Sequence, residues 1–299
     1  MLQNIIYTNC PSCNSSNIYK HLQAKDYTVS NELFDIFLCK DCTLAFTQNI
    51  PGQNEIGKYY QSQNYISHSD TKQGFISKIY HAVRNITLVS KKNIVQKFTK
   101  KQIGNLLDVG AGTGAFVNIM QQTSWQVLGL EPDEIARANA KNKFAIELQN
   151  PQDLFMLKQN NFDAITMWHV LEHIHTLKEY LQQFNKLLNE NGKLFIAVPN
   201  YTSYDAQHYK AFWAGLDVPR HLYHFSPKSM EILANNMGFK IVKTLPMWFD
   251  SVYVSMLSEQ YKTGKNNFIK AIFIGLVSNA KAIFNSKKCS SVIYVLEKA

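Results

Sequence analysis

The sequence predicts an α/β fold in which a seven-stranded sheet carries helices on both faces and follows a small cysteine-rich module. Three observations predict it. Short apolar runs alternate with amphipathic stretches from residue 104 onward, as strands covered by helices do. Glycines stand at Gly110, Gly112 and Gly114 in LLDVGAGTGAF, where the first of those strands hands over to a helix. Four of the five cysteines form two C-x-x-C pairs ahead of everything else, Cys10/Cys13 in CPSC and Cys39/Cys42 in CKDC.

Each cysteine pair has the spacing at which a tight turn aims two sulfurs at one ion, and two such turns complete a tetrahedron. Residues 1–50 therefore read as a zinc ribbon with strands in NIYKHL, FDIFLC and LAFTQ, and Cys10, Cys13, Cys39 and Cys42 as ligands of a structural zinc. A closed four-sulfur site leaves no open position for catalysis. Cys289 stands alone and reads as a small apolar residue. Residues 51–102 follow as an aromatic linker and helical lid. Tyr59, Tyr60 and Tyr65 either fold over a ligand or pack on the ribbon, and Phe75, Ile79, Val83 and Ile86 recur at helical spacing.

Residues 103–299 carry the main domain. Strands are expected at 105–109, 126–130, 144–148, 163–168, 193–198, 240–246 and 291–297, with helices near 114–122, 133–142 and 176–189. SPKSMEILANNMGF starts a helix with Ser226 as N-cap and Pro227 in the first turn, and Gly238 ends it. Residues 200–225 and 249–289 read as insertions that cover a substrate. Within the second, 268–284 places Ile269, Ile272, Phe273, Leu276, Ala280 and Ile283 on one helical face. Core packing or a homodimer contact is the expected use of that face, with contact at a membrane surface as the alternative.

At 299 residues, 45% hydrophobic and 18% charged, the chain can bury a sizeable core and lacks the composition of a disordered protein. No basic, apolar leader opens the sequence, and no apolar run reaches the roughly 18 residues of a spanning helix, so a cytoplasmic protein is expected. The formal charge is +9, with lysines gathered in KKNIVQKFTKK at 91–101. Such a stretch reads as a solvated helix face, and no specific nucleic acid is expected as partner.

Glycine is kept where φ must be positive or where something approaches the backbone closely. Gly110, Gly112 and Ala115 satisfy the G-x-G-x-x-G/A template of dinucleotide binding. Asp108 lies two residues before the first glycine, where its carboxylate reaches an amino-acid head group. Glu131, about 20 residues after the glycines, ends the second strand where an acid accepts hydrogen bonds from ribose hydroxyls. Two further landmarks follow, FDAITMWHVLEHIHTLKEYL and LNENGKLFIAVPN.

In this order the four motifs, covering roughly 104–200, resemble the class I S-adenosylmethionine-dependent methyltransferases. The ribbon resembles that of some sugar C-methyltransferases, and HVLEH resembles the ubiquinone O-methyltransferases. The resemblance implies a Rossmann-like sheet in which Asp108, Gly110 and Gly112 frame the methionine part of S-adenosylmethionine, and Gly114 allows close helix packing. It implies Glu131 on the ribose, Pro132 beneath the adenine, Asp153 and Leu154 at the adenine edge, and Trp168 and His169 facing the sulfonium. In the ubiquinone-type enzymes the triplet matching His169, Glu172 and His173 binds a divalent metal.

The donor is already activated, so the protein must align an acceptor and remove its proton. Histidine is the natural base near neutral pH, and His169, His173, His175, His221 and His224 all leave the carboxyl edge of the sheet. Arg220 and Tyr223 are candidates to bind the acceptor. The sequence thus predicts methyl transfer to a small molecule such as a sugar or a quinone. A nucleic-acid methyltransferase and a nicotinamide-dependent oxidoreductase are the alternatives.

Overall fold

The computed structural model describes residues 4–61, 75–265 and 267–299. Tyr65 lies outside the described residues. At the N-terminus the two cysteine turns, with Asn14 and Thr43 at positive φ, lead into an antiparallel sheet of β1 (Ile18–Lys25), β2 (Leu33–Cys39) and β3 (Ala45–Thr47). A fourth strand, β8 (Tyr223–His224), arrives from far along the chain and pairs with β3 through Ala45–His224 and Phe46–Tyr223.

The 25-residue helix α1 (Phe75–Thr99) leads to a six-stranded sheet. Its strands are β4 (Asn105–Val109), β5 (Gln126–Leu130), β6 (Phe162–Trp168), β7 (Leu188–Pro199), β9 (Phe239–Pro246) and β10 (Ser291–Lys298), in the order β5-β4-β6-β7-β10-β9. The first four are parallel, whereas β10 runs antiparallel between β7 and β9.

The strand expected at 144–148 does not form. Ala145 takes a left-handed conformation that ends α3 (Glu134–Phe144), and only Gln149 bridges to β5. The competing force is packing: Leu148 lies across Gly129, 2.4 Å from where a Cβ would stand, and buries beside Val117. The sheet therefore has six strands among the described residues, not seven.

Side chains alternate across the sheet. Leu107 and Val109 face α4 (Leu177–Leu187) and α6 (Pro227–Asn236), in a core continuous with the cysteines and Phe46 of the ribbon. Leu106 and Phe195 face α1 and α2 (Ala115–Gln121) through Val95, Phe116 and Met120. Each such side chain contributes about 1.5–3 kcal/mol on leaving water. The expected cap of α6 is present: Ser226 and Ser229 exchange side-chain to backbone bonds, and Gly238 has φ 75°.

Two helices follow β9, α7 (Asp250–Thr263) and α8 (Phe268–Phe284), with α5 (Tyr204–Tyr209) against them. Here the expectation of core packing for 268–284 is overturned. Ala271, Ile274, Gly275, Ser278 and Ala282 form the buried face of α8, small apart from Ile274, while Ile269, Phe273 and Ile283 are 85%, 63% and 70% exposed. Small residues win the inner face because they let the backbones meet: a Cβ on Gly275 would stand 2.7 Å from Val252 Cα. Two of the buried serines of these helices have side-chain partners, Ser251 at Asn279 and Ser278 at the buried carboxylate of Asp205. Among the described residues no helix is long and apolar enough to cross a membrane.

Candidate active site

The carboxyl ends of β4, β5 and β6 meet at the glycine turn. Gly110, Gly112 and Gly114 all have positive φ (75°, 54° and 76°), but for different neighbours. A Cβ on Gly110 would stand 2.3 Å from Val170 Cγ2, and one on Gly114 2.9 Å from Ala140 Cβ, so these two are closed by protein. Among the described residues, a Cβ on Gly112 would meet nothing within 4 Å. It is the one glycine of the three that faces open space.

Glu131 closes the turn from the neighbouring strand. Its carboxylate accepts from Gly112 N–H at 2.7 Å and Asp133 N–H at 3.0 Å, and burial raises its pKa against those bonds. Pro132 is exposed beside it, its carbonyl accepting from Arg137. Asp153 and Leu154 sit in a 3-10 turn, Pro151–Met156; Leu154 is fully buried and its carbonyl accepts from Gln183 Nε2 at 3.0 Å, so its side chain is closed to a ligand.

Asp108 is buried under the turn. Burial pushes its pKa up to about 7, although Thr166 donates to it at 2.6 Å and the Lys91 cation pulls the other way. Lys91 itself stands over the Trp168 ring, 4.7 Å from its centroid. Burial lowers the ammonium pKa while Asp108 and Asp250 hold it up. The expectation of a solvated face for 91–101 is corrected at Lys91, which turns into the site, while Lys97, Lys100 and Lys101 are exposed and Lys101 pairs with Asp163 at 2.6 Å. Trp168 packs edge-on to Phe116, and its buried Nε1 has no hydrogen-bond partner.

His169, at φ 60°, is held between two carboxylates: Nδ1 at 3.3 Å from Glu172 Oε1 and Nε2 at 2.9 Å from Asp250 Oδ2. Burial opposes its charge, yet Asp250 and then Glu172 outweigh it and hold the pKa up to about 10. At neutral pH His169 is an imidazolium with both N–H groups spent, so the expectation of a general base does not fit it. His224 does not fit either. It is buried in β8 with Nε2 at 3.1 Å from Thr47 Oγ1, inside the ribbon sheet. His175 bonds the Pro51 carbonyl.

His173 and His221 differ. Each points Nδ1 at a backbone carbonyl, Arg220 O at 3.0 Å and Gly215 O at 2.9 Å. A carbonyl only accepts, so each Nδ1 carries a proton, and a neutral ring keeps its lone pair on Nε2. Burial, followed by the charge of His221, lowers the His173 pKa to about 4. Glu172, fully buried, has Oε1 on His169 and, among the described residues, no hydrogen-bond partner on Oε2, and ligand atoms of Glu172, His173 and His221 lie within 4.8 Å of one another. The triplet expected to gather around a metal is thus rearranged, with His221 in the place of His169.

Three more residues change role. Arg220 is fully buried, its guanidinium spent on Asp217, Asp26 and the Tyr59 carbonyl. Tyr223 bonds Tyr7 and the His175 carbonyl in the ribbon interface. Neither is open to an acceptor. Tyr59 is buried with its hydroxyl on Glu32, whereas Tyr60 places its hydroxyl 3.0 Å from His173 Nδ1. The sequence reading missed Lys91, Thr166, Asp250 and Arg84, whose Nη2 reaches Thr113 of the glycine turn at 3.1 Å.

At the ribbon, Cys10 Sγ and Cys42 Sγ are 3.5 Å apart, and Cys13 and Cys39 3.6 Å, with all four sulfurs within 4.8 Å of one another. These separations are far beyond a disulfide and close to the ~3.8 Å edge of a tetrahedron with ~2.3 Å Zn–S bonds.

A family model described as a methyltransferase domain matches residues 81–244, more than half of the chain. A ubiquinone biosynthesis O-methyltransferase of Pelagibacter ubique (strain HTCC1062) is 30% identical over 123 residues, 38% of this chain and 51% of that protein. An uncharacterized methyltransferase of Alkaliphilus oremlandii (strain OhILAs) is 29% identical over 122 residues, 40% of this chain and 55% of that one. The chain spans about half the length of the curated relatives it matches. The fold is that of magnesium protoporphyrin IX methyltransferase from Synechocystis PCC 6803, solved with bound SAH, with TM-score 0.51 at 15% identity over 81% of this chain and 97% of that chain. By the family match, this chain belongs to the methyltransferase domain family.

Proposed function

We propose that this chain moves a methyl group from S-adenosylmethionine to a small-molecule acceptor. The observation that carries the reading is the open face at Gly112, bonded to Glu131 on one side and underlain by Asp108 on the other. In this reading Gly110 and Gly112 give the donor a bare backbone, Asp108 receives its ammonium, Glu131 its ribose, and Pro132, Asp153 and the Leu154 backbone its adenine. Trp168 and Lys91 wall the methionine end. The antiparallel β10 favours this reading over a nicotinamide oxidoreductase, since dinucleotide sheets are mostly parallel. The turn of Lys91 over Trp168, into the site, favours a small acceptor over nucleic acid.

The organisation we assign is a ribbon at 1–50, a lid segment at 51–102 and the methyltransferase domain at 103–299. An in-line transfer needs only alignment and removal of the acceptor proton. His173 and His221 offer the lone pairs for that, while charged His169 orients Glu172. An oxygen acceptor fits a base of this kind, as in the relative named for ubiquinone biosynthesis O-methyl transfer.

Calorimetry with S-adenosylhomocysteine tests the reading, because Asp108 makes binding depend on pH. An ammonium ligand takes the ionised carboxylate, and a group with pKa about 7 is about one-tenth ionised at pH 6. Affinity should therefore rise roughly tenfold from pH 6 to 8, and Asp108→Asn should abolish that slope. No heat with this ligand, or heat with NAD(H) instead, would sink the assignment.

A second reading rests on the orphaned Glu172 Oε2. Glu172, His173 and His221 fit a divalent cation, which when bound would acidify a hydroxyl acceptor. The four cysteine sulfurs fit zinc, which would hold the ribbon turns together. One zinc per chain is expected to survive EDTA treatment by metal analysis. Methyl transfer that persists in that sample leaves the histidines as unaided bases. Transfer lost and restored by Mg²⁺ or Mn²⁺ assigns the cation.

A further inference from the structure

The packing of α7 and α8 leaves an apolar surface that methyl transfer does not use. Ile269, Ile272, Phe273, Leu276, Ile283 and Phe284 line one side of α8 and are between 43% and 91% exposed. Trp248, Phe249 and Tyr253 continue the exposed apolar surface at the start of α7. A soluble monomer rarely leaves this many large apolar side chains uncovered in one stretch. The exposure has a structural cause. The buried face of α8 is made of small residues apart from Ile274 and closes on α7 around Gly275, which leaves the large side chains of the opposite face outside.

Charge decides what covers the surface. From residue 260 to 296 the sequence contains no Asp or Glu, but it contains Lys262, Lys265, Lys270, Lys281, Lys287 and Lys288. Lys262, Lys265, Lys281, Lys287 and Lys288 are exposed, and Lys270 reaches back to Glu259. A twofold dimer through this face would bring the same patch of both copies together. Lysines would then oppose lysines without an acid from this stretch between them. An anionic lipid surface meets both features: it takes aliphatic and aromatic side chains at the headgroup boundary and attracts the flanking ammonium groups. Trp248 and Tyr253 are the amphipathic side chains that favour that boundary.

We infer that α7 and α8 dock this protein on an anionic membrane surface, with the apolar side of α8 in the headgroup boundary and the lysines on the lipid charges. The patch reaches the site itself, since Trp248 and Phe249 directly precede Asp250, which holds His169. Docking would therefore bring the membrane up to one wall of the cleft. The inference is independent of the methyl-transfer reading.

The test is sedimentation of the full chain with vesicles of phosphatidylcholine alone and of phosphatidylcholine with ~30% phosphatidylglycerol, as a function of salt. Binding to the anionic vesicles at least tenfold tighter than to neutral ones, weakening with salt, is expected. Ile269→Asp/Phe273→Asp should lose at least tenfold of that binding, and Lys287→Glu/Lys288→Glu should lose its salt dependence. Both pairs are exposed, and unchanged thermal melting would verify the fold. Brominated lipid should quench tryptophan fluorescence in the parent and much less in Trp248→Phe, because Trp125 and Trp213 are buried and Trp168 is covered by Phe116 and Lys91. The inference is overturned by a protein that ignores anionic vesicles, by charge variants at 269 and 273 that bind like the parent, or by a stable dimer that these variants break apart.

Discussion

Arg220→Met should cost this fold about 3–5 kcal/mol, the cost of breaking a buried ion pair from one side. The guanidinium holds Asp217 through Nε at 3.0 Å and Nη2 at 2.7 Å, Asp26 at 2.9 Å and the Tyr59 carbonyl at 2.8 Å. The side chains of Arg220 and Asp26 are fully buried, so neither borrows much from water. Methionine fills similar space but leaves the Asp26 carboxylate facing the protein interior with only backbone N–H groups and the Ser30 hydroxyl. Melting should drop by roughly 6–20 °C, taking the ~2–4 °C per kcal/mol of a domain of about 150–250 residues.

The pH dependence separates a lost charge from lost packing. In the parent, burial pushes Asp26 up, but Arg220 and the backbone donors outweigh it and hold its pKa below the usual value. Its contribution is then present above about pH 4 and lost as acid protonates it. Without Arg220 burial dominates, so the carboxyl takes up a proton at higher pH and the deficit of the variant should shrink from pH 7 to 5. Asp26→Asn added to Arg220→Met should recover part of the melting temperature. A variant melting within ~2 °C of the parent at pH 7 would mean that the small sheet is held on by apolar contact alone.

The reach of the sequence reading follows the range of the forces involved. Strands such as 105–109 and 126–130 are legible because each is a short apolar run bounded by polar or glycine punctuation. The cap at Ser226 is legible because its bonds span three residues. The failures involve partners far away in the chain. Residues 144–148 have the composition of a strand, but Leu148 is drawn over Gly129 instead of extending a ladder. The stripe on α8 reads as a core face because hydrophobic periodicity does not register the rival stripe of alanine, glycine and serine opposite. Lys91 carried a readable signal that was overlooked: it precedes the buried Val95 by four residues and so lies on the inner side of α1. Thr166 carried one too, a hydroxyl in the fully buried strand β6 that needs an acceptor and finds Asp108. Asp250 had no such mark, since only the fold brings it to His169, 81 positions away.

The donor reading stands most directly on Glu131, and Glu131→Gln should weaken S-adenosylhomocysteine binding by roughly a hundredfold or more. A carboxylate has about four lone-pair sites. Here one is taken by Gly112 N–H and one by Asp133 N–H, which leaves acceptors on both oxygens for the two ribose hydroxyls. Hydrogen bonds to a charged acceptor contribute about 1.5–3 kcal/mol each, so losing two removes about 3–6 kcal/mol. Glutamine keeps the size but turns an NH₂ group toward either Gly112 or Asp133, so a donor faces a donor and the glycine turn loses its inner tie. The same substitution should cost the fold only the one unpaired N–H, about 1–3 kcal/mol, because burial already raises the pKa of this carboxyl and its charge adds little to the empty fold. A fall in affinity larger than this loss of stability would separate a ligand contact from a structural one. Binding within threefold of the parent would remove the ribose from this corner of the sheet, and with it the reason for an acid to end β5.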